Sequence, residues 1–309
     1  MKEFIYQVSK ELKTGADLVE KDFLLHTILL DLSRTKFAHD YVFKGGTSLV
    51  KHYLGYHRFS VDLDFTFINP ALFQKLTKKA IRKTLSEKID EVGAIFEEIA
   101  DNKSLDFKCE KGNKRYVEFG GGNKFLTLKL WWDSPFTKET FIKIQINFLE
   151  LILFPIKSVE LKSPLKNTKE LEFLFPLPSK EYTTPINYMT YDIKELFCEK
   201  VRAILTRRGI KERDFIDCYL ISKRYGFSYK EVEKEILEKT KFMLGLYTKY
   251  QTNMKENLKA LSVDSFPFGS ESHFLLTKID TEDYYRFVKE FIAYLQVGFG
   301  RSSSPKLSI

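Results

Sequence analysis

Two hydrophobic periods alternate along the chain. From Asp17 to Ser33, Leu25, Ile28, Leu29 and Leu32 recur at helical spacing, and Asp17 with Glu20 stands where a capping pair would open that helix. Ahead of it, MKEFIYQVSKELK predicts an amphipathic helix. Tyr41-Val42-Phe43 predicts a short strand that breaks at Lys44-Gly45-Gly46-Thr47-Ser48, after which Leu49, Val50, Tyr53 and Leu54 predict a helix. Residues 62–67 alternate polar and apolar with period two, the mark of a half-buried strand. Past Pro70 a helical stretch is expected to about Ile99. Strand-like segments follow at 105–110, 114–119, 124–132, 141–151 and 171–176, with Gly112-Asn113 and Gly120-Gly121-Gly122-Asn123 as hairpin connections. From Tyr191 the pattern is helical to about residue 297, and a polar tail, RSSSPKLSI, ends the chain. The Pro-rich FPLPSKEYTTP precedes that change. The pattern therefore predicts a mixed α/β part over 1–185 and a helical part over 186–309.

Composition narrows the class. The 309 residues are 43% hydrophobic and include 28 Phe and 16 Tyr, ample for a sizeable core, which excludes global disorder. The longest apolar runs, FLLHTILLDL and FLELILFPI, hold about ten residues, whereas a membrane-spanning helix needs roughly 20. The N-terminal helix carries charges throughout and lacks the apolar stretch of a signal peptide. Cys109, Cys198 and Cys218 have no CxxC spacing, so neither a disulfide framework nor a zinc site is expected, and the expected compartment is the reducing cytoplasm. The net charge of +8 favours polyanionic partners by steering.

The chemistry concentrates in KGGTSLVKHYLGYHRFSVDLDF, residues 44–65. Glycines let backbone N–H groups approach a ligand closely, and a helix start presents unpaired donors. Thr47 and Ser48 add hydroxyls and Lys44 a charge, a combination suited to a triphosphate. By itself such a turn reads better as an ordinary strand-to-helix connection. Asp62 and Asp64 change the balance, because residues two apart on a strand share a face while Leu63 and Phe65 turn to the core. Two acids on one face, with no Lys or Arg at the intervening positions of their strand, invite a divalent cation, which takes carboxylates together with substrate phosphates. An isolated pair of this kind reads better as hydrated surface acids. Here a glycine turn lies just upstream, and Arg58 and Ser60 stand directly before the acids.

These residues resemble a known family. GGTS followed by RFSxDLDF is similar to motif I of the AbiEii-type nucleotidyltransferases, toxins of type IV toxin–antitoxin systems within the DNA polymerase beta superfamily. VEKDF (Val19 to Phe23) and FKGGTSL (Phe43 to Leu49) also match that family's opening, and CEKVRAILTRRGIKERDFIDCY (Cys198 to Tyr219) resembles its C-terminal signature. The resemblance implies an α/β (α+β) nucleotidyltransferase core, a mixed sheet flanked by helices, with a helical C-terminal domain that completes the active site. It implies transfer of a nucleoside monophosphate from an NTP to an acceptor hydroxyl, such as a tRNA 3′ end. A cognate antitoxin goes with such a toxin, with no direct contact implied.

In that reading Lys44, Gly45, Gly46, Thr47, Ser48, Arg58 and Ser60 bind the nucleotide, and Asp62 and Asp64 hold Mg2+, with Mn2+ as a possible substitute. Lys200 stands inside the apolar stripe of Ile193, Phe197 and Ile204, where a lysine either snorkels to water or finds an anion. The family's motif lysine points to the triphosphate, so Lys200 joins Arg58 in stabilising the leaving pyrophosphate. Family spacing makes Asp214 a catalytic-site residue and Asp217 a supporting one. Asp217 is also placed to pair with Arg213 or simply to favour a helix start. Such sites usually add a third carboxylate from a later strand. Phe141–Asn147 offers Gln145 and Asn147 there, amides that can ligate a metal but take no proton. Asp64→Asn and Lys200→Ala are both expected to abolish transfer with the fold intact. Rival readings are nucleotidylation of a protein or small molecule, and an inactive module that only binds nucleotide or RNA.

Overall fold

The computed structural model describes residues 1–69, 77–121, 124–166, 169–271 and 275–300. Pro70, with the six residues after it, Gly122 and Asn123 of the second expected turn, and the tail from Arg301 lie outside them. The chain divides into two compact units, Met1–Glu150 with Pro155–Tyr191, and Leu151–Phe154 with the residues from Asp192 onward.

The first unit runs α1 (Lys2–Leu12), α2 (Ala16–Leu32), α3 (Phe37–Asp40), β1 (Tyr41–Lys44), α4 (Gly45–Ser48), a π-helical turn over Leu49–Tyr53, β2 (Asp62–Phe67), α5 (Lys78–Asn102), β3 (Val117–Gly120), β4 (Phe125–Trp132), β5 (Thr140–Asn147), β6 (Lys157–Leu161), α6 (Lys169–Leu174), α7 (Pro176–Thr183) and β7 (Ile186–Thr190). Its strands form one mixed seven-stranded sheet in the order β3-β4-β5-β2-β1-β7-β6. Pairings β2–β5 and β1–β7 are parallel and the other four antiparallel.

Period-two alternation decides the faces. Leu63 and Phe65 of β2 are fully buried, as are Ile142, Ile144 and Ile146 of β5. Aromatic rings crowd this apolar layer: Phe43 and Phe65 have centroids 5.3 Å apart, and Phe37 stacks on Tyr41 at 4.2 Å and meets Phe96 of α5 edge-on at 5.5 Å. Each such side chain contributes roughly 1.5–3 kcal/mol on burial. A second aromatic cluster joins α1, α2 and α7, where Phe4 lies 5.8 Å from Phe23 and 6.4 Å from Tyr182.

Some expected elements differ. Asp17 and Glu20 form no capping pair, because Gly15 is the residue before α2 and the Glu20 carboxylate accepts from Ser134 Oγ at 2.5 Å. Over 105–110 only Asp106 pairs in a strand-like way, with Trp131. The nearby Cys109 N–H is taken by the Glu97 carboxylate at 2.7 Å. Segment 171–176 is helical, since Pro176 sits in the first turn of α7, where its missing N–H costs nothing. Strands β6 and β7 were not among the expected strands, and the proline-rich stretch between them holds α7. Their buried Val159, Leu161, Ile186, Tyr188 and Thr190 alternate with exposed neighbours, so β7 belongs to the sheet and the boundary follows it at Tyr191.

The second unit is helical, as expected: α8 (Ile193–Thr206), α9 (Glu212–Tyr225), a 3-10 turn over Tyr229–Val232, α10 (Glu233–Leu246), α11 (Thr248–Ala260) and α12 (Thr281–Gly300). Asp192 caps α8 by accepting the Lys194 N–H at 2.8 Å, and Gly226 ends α9 in the left-handed region at φ 68°. Inside this unit the fully buried Lys239 pairs with Glu195, whose other carboxylate oxygen accepts the Leu153 and Phe154 N–H groups, each at 2.8 Å. That bond set fastens the 151–154 segment to the helices. Among the described residues no helix is long and apolar enough to cross a membrane.

In the first unit Asp22 is buried among Lys51 (3.0 Å), Tyr56 (2.9 Å) and Tyr182 (2.7 Å). Close by, His26 Nε2 lies 2.9 Å from the Thr184 carbonyl, to which it donates, while Nδ1 has no hydrogen-bond partner among the described residues. Burial, helped by the Lys51 ammonium, lowers the His26 pKa to about 3. The unfolded chain takes up a proton near pH 6.5 that the folded chain refuses, so this contribution is complete above 6.5 and is lost as pH falls. Urea unfolding is expected to show stability dropping by ~1.4 kcal/mol per pH unit between about pH 6 and 5, with that component absent from His26→Gln. Equal slopes for the two proteins would remove His26 as its source.

Candidate active site

A conformational break ends β1. Gly45 lies at φ 80°, a conformation L side chains avoid, and a β-carbon there would stand 2.9 Å from Asp64 Cγ. The cause is register: Lys44 of β1 is paired with Asp64 of β2, which carries the Asp64 side chain over the turn. At Gly46 an added β-carbon would come within 2.8 Å of Arg58 Nη2 and 3.1 Å of Ser60 Oγ. Gly45 is thus required by its φ and by the Asp64 side chain, while Gly46 leaves room for the Arg58 guanidinium end and the Ser60 hydroxyl. Thr47 Oγ1 donates to the Asp62 carbonyl at 2.5 Å and lies 2.8 Å from Ser60 Oγ, tying the segment before β2 to the turn.

Asp62 and Asp64 share the half-exposed face of β2, opposite the buried Leu63 and Phe65. The parallel neighbour β5 sets Lys143 beside Asp62, Gln145 beside Asp64 and Asn147 beside Thr66. Lys143 Nζ is 2.9 Å from Asp62 Oδ2, so the cation missing from the acids' own strand is supplied by the next one. Lys21 of α2 lies near enough for Asp62 to favour its charged form. Burial works the other way and lowers the Lys21 pKa on balance.

No acid stands at 145 or 147. The buried carboxylate nearby is Glu150, which accepts from Thr66 Oγ1 at 3.0 Å and Asn147 Nδ2 at 3.1 Å and forms an ion pair with Lys44. Lys44 itself is nearly buried, with its ammonium 5.5 Å from the centre of the Tyr191 ring. Ser48 Oγ is buried 2.6 Å from Thr190 Oγ1, which links the turn to β7. Arg58 donates from Nη1 to the Phe59 carbonyl at 2.9 Å. Among the described residues no group of three or more His, Cys, Asp or Glu side chains is disposed to hold a metal ion. Asp62 and Asp64 nonetheless offer a hard, all-oxygen donor pair. That set fits Mg2+, which is commonly held by one or two carboxylates plus substrate phosphates.

The distal motif forms its own cluster in the second unit. Lys200 is 12% exposed, and its Nζ is 3.0 Å from Asp214 Oδ1 and 2.7 Å from Asp217 Oδ2. The stripe lysine has found its anion inside the protein. Arg207 adds a bond to Asp214 Oδ2 at 2.7 Å. Burial opposes ionisation of Asp214, but Lys200 and Arg207 outweigh it, and its pKa lies below the usual carboxylate value. Arg213 reaches Glu271 at 3.7 Å, and Asp217 is paired with Lys200. Cys198 and Cys218 are fully buried packing residues.

Lys143, Lys21 and Glu150 escaped the motif reading. The alternation of TFIKIQIN marks Lys143 as sharing a face with Gln145 and Asn147. Only strand register shows that this face is also that of the acids.

The AbiEii family model, described as a nucleotidyl transferase toxin of the type IV toxin–antitoxin system, matches residues 27–296. In fold the chain is similar to MenT4, a nucleotidyltransferase toxin from Mycobacterium tuberculosis H37Rv, with a TM-score of 0.55 at 18% identity over 94% of this chain and 89% of that one. None of the curated proteins matches the chain in sequence.

Two outcomes are expected from the geometry. Gly45→Ala is expected to destabilise the chain by at least ~1–2 kcal/mol in urea unfolding, from the positive φ and the collision with Asp64; wild-type stability would show that the turn tolerates a side chain. Lys200→Ala removes the ammonium shared by two buried carboxylates and leaves Asp214 with Arg207, so a loss of up to about 3–5 kcal/mol is expected in place of an intact fold. Circular-dichroism melting of that variant at the wild-type temperature would contradict this.

Proposed function

Because the chain belongs to the AbiEii family of nucleotidyltransferase toxins, we propose that it moves a nucleoside monophosphate from an NTP to the 3′ hydroxyl of a tRNA, with Mg2+ accompanying the triphosphate. The observation that carries this reading is the contact of the Asp64 carboxylate with the Gly45 turn, beside Arg58 and Ser60 at Gly46. The acceptor oxygen forms a bond to the α-phosphorus, the bond from that phosphorus to the bridging oxygen breaks, pyrophosphate leaves, and the hydroxyl proton passes to solvent. Asp62 and Asp64 would hold the metal ion, which when bound neutralises phosphate charge and orients the triphosphate. Arg58 balances charge on the departing pyrophosphate. Thr47 and Ser60 keep the turn and the acids in fixed relation.

Gln145, in register with Asp64, accepts no proton. The loose transition state of phosphoryl transfer asks mainly for positioning, so proton removal is a small part of the barrier. The Lys200–Asp214 pair enters as the family signature within the second unit, with Asp217 as its support. Exposed Arg207, Arg208 and Lys211 between α8 and α9 give that unit a basic loop, and the net charge of +8 favours a polyanionic acceptor over a small neutral one. As a toxin of this class the protein works against an antitoxin, and direct contact between the two forms no part of this reading.

The test is incubation with Mg2+, total tRNA and each of the four labelled NTPs in turn. One or more NTPs are expected to label the tRNA 3′ end, and Asp64→Asn is expected to lower the rate by on the order of 100-fold or more. Labelling of protein or of a small molecule instead of tRNA would move the acceptor assignment. Binding without transfer would leave a nucleotide-holding module, and full activity in Asp64→Asn would refute the site.

A further inference from the structure

The acids of β2 face cations in an uneven way. Lys44, in register with Asp64, is committed to the buried Glu150. Lys129 of β4, in register with Lys143, is committed to Glu118 at 2.6 Å. Lys143 of β5 reaches Asp62, and that bond is about one-third exposed at both ends, with side chains 33% and 30% accessible. Lys21 adds a second positive charge near Asp62. Asp62 therefore already faces positive charge, which lowers its attraction for a bare divalent cation. A half-exposed ion pair is worth little, about 0–1 kcal/mol, so it exchanges partners readily.

A metal ion bound to a triphosphate meets different conditions. The complex is an anion overall. When Asp62 passes from Lys143 to the metal, the freed ammonium can take a phosphate oxygen, so one weak pair is replaced by two strong contacts. We propose that Lys143 is the resident counter-cation of Asp62: it discourages divalent binding in the absence of nucleotide and grips the triphosphate once the metal arrives with it. This rests on the nucleotidyltransferase reading above. It gives that site an order of events, metal and triphosphate together, written into strand register.

Lys143→Met keeps the aliphatic stem and removes the charge, and Lys143→Arg keeps the charge. Mn2+ binding without nucleotide, followed by the electron paramagnetic resonance signal of the free ion, is expected to be about fivefold tighter in Lys143→Met than in the wild type. Calorimetric titration with magnesium tripolyphosphate, a base-free triphosphate, is expected to be about tenfold weaker in the same variant. Lys143→Arg should return both values toward wild type and serves as the folding control. Unchanged Mn2+ affinity in Lys143→Met overturns the inference, as does unchanged tripolyphosphate affinity, even where the wild type labels tRNA. A wild-type protein that binds neither Mn2+ nor magnesium tripolyphosphate overturns instead the functional reading on which it rests.

Discussion

The close approach of a carboxylate to a backbone without a side chain is the constraint on which the first unit's site depends. Asp64 occupies the volume that any β-carbon at position 45 would need. A glycine at positive φ is therefore imposed by the acid opposite it, and the acid is held there by β1–β2 register. The same logic repeats one residue on, where Arg58 and Ser60 fill the space above Gly46. Strand end, turn and acid pair form one mechanical unit, and any side chain at either glycine displaces a polar group.

Buried ion pairs hold the surrounding framework. Asp22 with Lys51, Tyr56 and Tyr182 ties α2 to the π-helical turn beyond the glycines and to α7. Glu150 with Lys44, Thr66 and Asn147 ties the end of β1 to β2 and β5. In the second unit Glu195 with Lys239, and Asp214 and Asp217 with Lys200, do the same for the helices. Pairs so deeply buried add little net stability over apolar packing, but breaking one leaves an uncompensated charge. Their worth lies in fixing which residue stands opposite which. The half-exposed Lys143–Asp62 pair is of another kind, since solvent lowers its strength and leaves it open to exchange.

Much of this was legible along the chain. The helical spacing of Leu25, Ile28, Leu29 and Leu32, the alternation over 62–67 and the helical character after Tyr191 all reappear as α2, β2 and the second unit. The motif from Gly45 to Asp64 was legible because turn chemistry and period two are local properties. Segment 171–176 was misread as a strand, and β6 and β7 went unread, for the opposite reason. Short segments of similar composition are decided by whether a sheet edge is free to pair them and whether a proline opens a helix there.

Amino-acid order by itself determined most of the elements and the family, and singled out the acids, glycines and Arg58 as candidates, because each depends on residues close together in the chain. Only tertiary structure decided their partners: Lys143 for Asp62, Glu150 for Lys44, Asp214 and Asp217 for Lys200. Partnership between charges follows from distance and burial. Those are set by strand register and helix packing between segments up to about a hundred residues apart, as with Lys44 and Glu150, and no local period encodes them.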